Sequence, residues 1–205
     1  MKKRIFVWLA AVLLLAGCST DRQPVQQETA DGTVEQSAEA GAGQSQTGSD
    51  AADEPYIVNF EAKTIDGESM SSDIFTQSKL TMINVWATYC NPCLMEMPDL
   101  GDIAEEYDKA DFQLIGIVSD VVDTASQSDI DNVRDLVVQT EANYPHLLLN
   151  QSLYENLVGG VSSVPTTFFV NQKGELITYV VGANSEDTWE KIIDEILAKE
   201  GVMDD

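Results

Sequence analysis

Two cysteines separated by two residues, Cys90-Asn91-Pro92-Cys93, are the side chains of this 205-residue sequence whose type and spacing point most directly to chemistry. They follow a run rich in apolar and β-branched residues that ends at Trp86-Ala87, and a segment with amphipathic helical spacing follows them. A CxxC that closes a buried strand and opens a helix is the sequence form of a dithiol redox site. Two sulfurs three residues apart in the first turn of a helix can close a small ring while one of them stays exposed. The unpaired amides and positive end of the helix favour a thiolate over a thiol there. Pro92 costs nothing in that first turn, because its missing N–H would have had no helical partner.

Two plainer readings compete with this one. A CxxC can be half of a structural zinc site, but such a site needs four ligands, and beyond the pair the sequence offers only Cys18 and His146. A purely structural disulfide across two residues removes almost no loop entropy, since that gain grows with loop length. The redox reading is the stronger one.

The stretch Trp86-Ala87-Thr88-Tyr89-Cys90-Asn91-Pro92-Cys93, with Glu96 and Pro98 after it, resembles the thioredoxin superfamily. More narrowly it resembles the lipid-anchored TlpA/ResA-type thiol-disulfide oxidoreductases of bacteria. Val164-Pro165-Thr166 resembles the cis-proline segment of that superfamily, and Val181-Gly182-Ala183 resembles its glycine near the site. The resemblance spans roughly Tyr56 to Glu200. It implies an α/β fold, a thioredoxin-like mixed sheet with helices on both faces. It implies Cys90 as the attacking thiolate and Cys93 as the resolving thiol. Glu96 matches a glutamate kept beside the disulfide, where a carboxylate could exchange a proton with Cys93. From spacing alone, Glu96 reads equally well as a solvated helix residue. The resemblance also makes Pro165 a cis-proline packed on the cysteine pair, with the Val164 backbone pairing an extended substrate. Trp86, Tyr89, Asn91, Pro92 and Gly182 would border the substrate groove with Val164. Two positions depart from the pattern: Asn84 stands where thioredoxin has a buried aspartate, and Tyr89 where a tryptophan is usual.

No bound cofactor is implied. The expected partners are protein thiols and disulfides, together with a membrane electron donor of the DsbD/CcdA type. Family substrates include apocytochrome c thiols, peptide-methionine-sulfoxide reductases and other cell-envelope disulfides, and this sequence does not choose among them. One rival within the enzyme class is an oxidant that forms disulfides, against which Pro92 in the second inner position leans towards a reductant. Another is a lipid-tethered binding module that keeps the fold without the catalysis.

The elements that must carry this site begin after a long leader. Lys2, Lys3 and Arg4 precede an apolar run from Ile5 to Ala16, too short to span a bilayer stably. Leu15-Ala16-Gly17-Cys18 resembles a bacterial lipobox, so residues 1–17 are expected to be a lipoprotein signal peptide and Cys18 the lipidated N-terminus. An ordinary secretory signal with an incidental cysteine is the alternative. Residues 18–54 contain no aromatic residue and read as a disordered tether with a span of roughly 35 Å. Residues 55–205 form one domain of ordinary size. The protein is expected outside the cytoplasm, where disulfide chemistry is permitted, anchored by lipid to the cell membrane and monomeric. The net charge of −24 falls to −27 without residues 1–17, which hold three cationic side chains and no acid. So acidic a chain is unsuited to nucleic acid and to anionic lipid surfaces.

Within the domain, Tyr56–Phe60 reads as a first strand and Asp66-Gly67 as a hairpin turn. Lys79–Ala87 reads as the central strand, and Cys93–Lys109 as a helix with Leu94, Met97, Leu100, Ile103 and Ala104 on one face and a kink at Pro98. Phe112–Val118 reads as a second buried strand, Ile130–Ala142 as a helix, and Leu147–Leu149 as an apolar run with His146 at a strand edge. Thr166–Val170 and Glu175–Val181 read as strands joined by a turn. A final helix capped at Ser185 turns Trp189, Ile192, Ile193 and Ile196 inward.

Overall fold

A computed structural model describes residues 54–203, so the expected signal peptide and all but the last residue of the expected tether lie outside the described residues. A five-stranded sheet takes shape around one strand, β3 (Leu80–Trp86), in which every residue is buried. A strand covered on both faces reads as a continuous apolar run, which Leu-Thr-Met-Ile-Asn-Val-Trp nearly is. Its neighbours are β4 (Phe112–Val122), parallel to it, and β6 (Thr166–Asn171), antiparallel to it. Beyond them lie β5 (His146–Leu149), parallel to β4, and β7 (Leu176–Val181), antiparallel to β6. The order β5-β4-β3-β6-β7 is the mixed sheet expected from the sequence. A separate hairpin, β1 (Glu61–Lys63) with β2 (Ser69–Ser71), turns through Gly67 at φ 88°.

Alternation along β3 divides the core in two. Leu80, Met82 and Trp86 face one cluster, with Met97, Leu100 and Ile103 of α1 (Asn91–Glu106), Val133 of α2 (Gln127–Gln139), and Trp189 and Ile193 of α4 (Glu186–Met203). Ile83 and Val85 face the other, with Phe60, Phe75, Val170 and Leu153 of the short α3 (Gln151–Asn156). Helices therefore cover both faces. Each fully buried Leu, Ile or Met in these layers contributes on the order of 2 kcal/mol. Pro98 lies inside α1, which runs unbroken past it.

One local expectation needs correction and another gains detail. Tyr56–Phe60 is not a strand; Ile57 forms an isolated bridge to Glu175, where the Val58 N–H donates to the Gly174 carbonyl and the Leu176 N–H to the Tyr56 carbonyl, and the pairing goes no further along β7. His146 belongs to edge strand β5, yet it is 1% exposed, held by Trp86 Nε1, which donates to its Nδ1 at 3.1 Å, and by the Ala142 carbonyl, 3.1 Å from its Nε2. Burial lowers its pKa to about 4, so the ring is neutral. Its space comes from Gly116 on β4, where an added Cβ would sit 2.2 Å from Nδ1. Gly116→Ala is expected to destabilise the fold by about 2–3 kcal/mol, an overpacking cost. Urea unfolding checks this, and an unchanged midpoint would mean the ring can shift without loss.

Candidate active site

The site forms where β3 ends. The chain leaves the sheet at Ala87, and α1 begins at Asn91 with Cys90 as its N-cap. Cys90 and Cys93 are joined by a disulfide, and the Cys93 N–H donates to Cys90 Sγ at 3.3 Å. Cys90 keeps 6% of its surface exposed and Cys93 none. The sulfur nearer the helix end is therefore the accessible one, and it lies at the positive end of α1 with the Cys93 amide donating to it.

The loop between strand and helix is held from the side by β4. Asp120 accepts from the Thr88 N–H at 3.0 Å and from the Thr88 hydroxyl at 2.5 Å, and Ser119 donates to the Trp86 carbonyl at 2.9 Å. These two residues were not anticipated. They lie 33 and 32 positions from their partners, and a Ser-Asp pair at a strand end carries no signal of its own.

Pro165 enters from β6. Val85 pairs with Thr166, so the preceding Val164-Pro165 peptide lies at the end of the sheet where β3 runs into the cysteine loop. That peptide is cis. Gly182 donates its N–H to the Pro165 carbonyl at 2.9 Å and has φ 99°; the backbone, rather than crowding, asks for glycine there. Tyr89, Asn91 and Pro92 are exposed and Val164 is half-buried. Trp86 corrects the expectation of a groove wall. It is fully buried, and its indole N–H is spent on His146, so it supports the loop from beneath.

Glu96 is 3% exposed, one turn of α1 beyond Cys93. Three donors surround its carboxylate. Asn84 Nδ2 donates to Oε1 at 3.1 Å, while the Asn184 N–H and Trp189 Nε1 donate to Oε2 at 3.1 and 3.3 Å. Asn84 reaches it because alternation places that residue on the Leu80–Trp86 face of β3, the face that α1 and α4 cover. Asn84 Nδ2 also donates to Thr167 Oγ1 at 3.1 Å, and Asn84 Oδ1 has no hydrogen-bond partner. Burial outweighs the three donors and raises the Glu96 pKa from 4.5 to about 6. Among the described residues, carboxylates close enough to share an ion occur at Glu106, Glu186 and Glu190, a partly exposed group on α1 and α4 of the kind common on acidic surfaces.

A redox-closed cysteine pair at the head of a helix, fed by the central strand of this mixed sheet, defines a thiol-disulfide oxidoreductase of the thioredoxin fold. The chain belongs to the AhpC/TSA family, whose model matches residues 55–179. Thiol-disulfide oxidoreductase ResA of Halalkalibacterium halodurans is 26% identical over 137 residues, 67% of this chain and 73% of that protein. Thioredoxin-like protein YneN of Bacillus subtilis is 29% identical over 137 residues, 66% and 75% of the two chains. Among solved structures, the pneumococcal exposed lipoprotein thioredoxin Etrx1 of Streptococcus pneumoniae superposes with a TM-score of 0.56 at 26% identity, covering 67% of this chain and 98% of its own. A thioredoxin-family thiol:disulfide interchange protein of Chlorobium tepidum reaches 0.58 at 24% identity over 72% and 99%, a likeness of fold.

The buried carboxyl makes stability depend on pH with a definite sign. The folded pKa lies above the ordinary one, so the contribution is fully present below pH 4.5 and lost as pH rises through about 6. That displacement amounts to about 2 kcal/mol. Urea midpoints of the oxidised protein at pH 4.5 and pH 7 are expected to include this fall, and those of Glu96→Gln to lack it. Equal pH dependence in the two proteins would place the carboxyl in water.

Proposed function

We propose that this protein is an extracytoplasmic reductase of envelope-protein disulfides, held at the cell membrane through a lipidated Cys18. The observation that carries the catalytic reading is the buried Glu96 carboxylate one helical turn beyond Cys93, itself joined to an N-capping Cys90. The location rests on the lipobox-like Leu15–Cys18 sequence, and the exposed lipoprotein of Streptococcus pneumoniae supports it by analogy.

In the reduced protein, the Cys90 thiolate attacks one sulfur of a substrate disulfide and forms a mixed disulfide, expelling the other substrate sulfur as thiolate, which takes a proton from solvent. Cys93 then gives its proton to Glu96 and attacks Cys90 Sγ. The second substrate sulfur leaves as thiolate, and the Cys90–Cys93 disulfide closes. Two electrons have passed to the substrate, and a membrane donor of the DsbD/CcdA type must return them. Val164, beside the cis Pro165, offers backbone to an extended substrate segment, with Tyr89, Asn91, Pro92 and Gly182 around it. Substrates of the apocytochrome c or methionine-sulfoxide-reductase type fit this chemistry.

Limiting iodoacetamide is expected to label Cys90 before Cys93 in the reduced protein, and Cys93→Ser to hold substrates as mixed disulfides on Cys90. Labelling of Cys93 first would reverse the two roles. Failure to speed insulin reduction by dithiothreitol would favour a non-catalytic module. Glu96→Gln is expected to change the pH dependence of disulfide exchange around pH 6, and superimposable rate profiles would remove Glu96 from the reaction.

A further inference from the structure

Asn84 holds an odd position in the Glu96 network. Its amide nitrogen serves two acceptors, Glu96 Oε1 and Thr167 Oγ1, while its carbonyl oxygen, equally buried, serves none. A buried amide oxygen without a partner carries a cost that a native site is expected to explain.

The carboxylate's other contacts narrow the explanation. Oε2 faces a backbone N–H and an indole N–H, both donors that cannot reverse. A proton taken up by Glu96 must therefore sit on Oε1, opposite Asn84. As the amide now lies, that proton would point at an N–H donor, and the two would repel. A half-turn of the amide about its terminal torsion exchanges NH2 for a carbonyl of nearly equal size. The carbonyl then accepts from the Glu96 carboxyl O–H and from the Thr167 hydroxyl, which can donate as readily as it accepts.

We propose that Asn84 is a positioning residue whose side-chain amide turns over with the protonation of Glu96, with Thr167 as the hydroxyl that accepts in one orientation and donates in the other. The unpartnered Oδ1 is the acceptor held in reserve for the acid form. The inference rests on the reading of Glu96 as the group that takes the Cys93 proton, and adds how the site lets it do so without a buried clash. The titratable groups facing Glu96 are Asp99 and, once the disulfide opens, Cys93 on its own helix, together with the buried Tyr144 phenol ahead of β5. From β3, the turn before α4 and α4 itself it meets the neutral donors Asn84, Asn184 and Trp189, with Thr167 of β6 behind Asn84.

The test is nuclear magnetic resonance of the oxidised wild-type domain, with asparagine side-chain nitrogens and glutamate carboxyl carbons labelled, from pH 4 to 8. The Asn84 amide protons are expected to show Overhauser contacts to the Thr167 side chain at high pH. Those contacts should disappear on acidification, with the midpoint at which the Glu96 carboxyl carbon titrates. If Glu96 titrates while the amide keeps its contacts to Thr167, the turnover is overturned and the role of Glu96 stands. If Glu96 shows no titration in this range, the reading beneath the proposal fails with it. Asn84→Leu adds a readout that simple structural support would not produce. An amide serving both forms predicts a Glu96 midpoint that moves little, because each form loses one bond. An amide serving the carboxylate alone predicts a rise of about one unit or more, and that result also overturns the proposal.

Discussion

A carboxylate taken out of water must gather donors around it or give up its charge. Glu96 does some of both, and the rest of the site is arranged about that compromise. Its three donors come from β3, from the turn before α4 and from α4 itself, so one side chain on α1 ties together elements remote in sequence. Trp189 is fully buried while making this bond, so the packing of the last helix and the charge state of the site are set by the same contact. An apolar residue at position 96 would take this acceptor from the buried Trp189 indole and Asn84 amide and from the half-buried Asn184 N–H.

The cysteine loop is rigid for a different reason. Trp86 beneath it is fixed through His146, whose place depends on a glycine in the neighbouring strand, and Thr88 is gripped at two points by Asp120. The side chains that make the loop firm are thus buried or lateral. Those that meet the solvent, Tyr89, Asn91 and Pro92, are free of such duties. Support and contact surface are separate sets of residues.

Much of this was legible in the sequence where the signal is local. The apolar run of β3 leading into Cys90, the helical spacing after Cys93, and the Asp66-Gly67 turn each act within a few residues. A mixed sheet with helices on both faces was also expected, whereas the order of its strands came only with the structure. What escaped reading depended on partners far along the chain. Asn184 and Trp189 lie 88 and 93 residues from Glu96, and no spacing rule links them. A tryptophan just ahead of the motif looks the same whether it walls a groove or fills the core; Trp86 fills it, reaching across β4 to His146, 60 residues away in the chain. Tyr56–Phe60 had strand-forming residues, yet its pairing stops at the single Ile57–Glu175 bridge, so most of that propensity went unused.

The isolated bridge between Ile57 and Glu175 fixes the polarity of the domain. The chain enters beside the β6–β7 turn, and β3 begins there opposite Asn171 before running its seven residues towards Cys90. Entry point and disulfide therefore stand at opposite poles of the sheet, about 20 Å apart along the strand. The exposed side chains around the disulfide, Tyr89, Asn91 and Pro92, are thereby left at the end of the sheet away from the point where the polypeptide enters it.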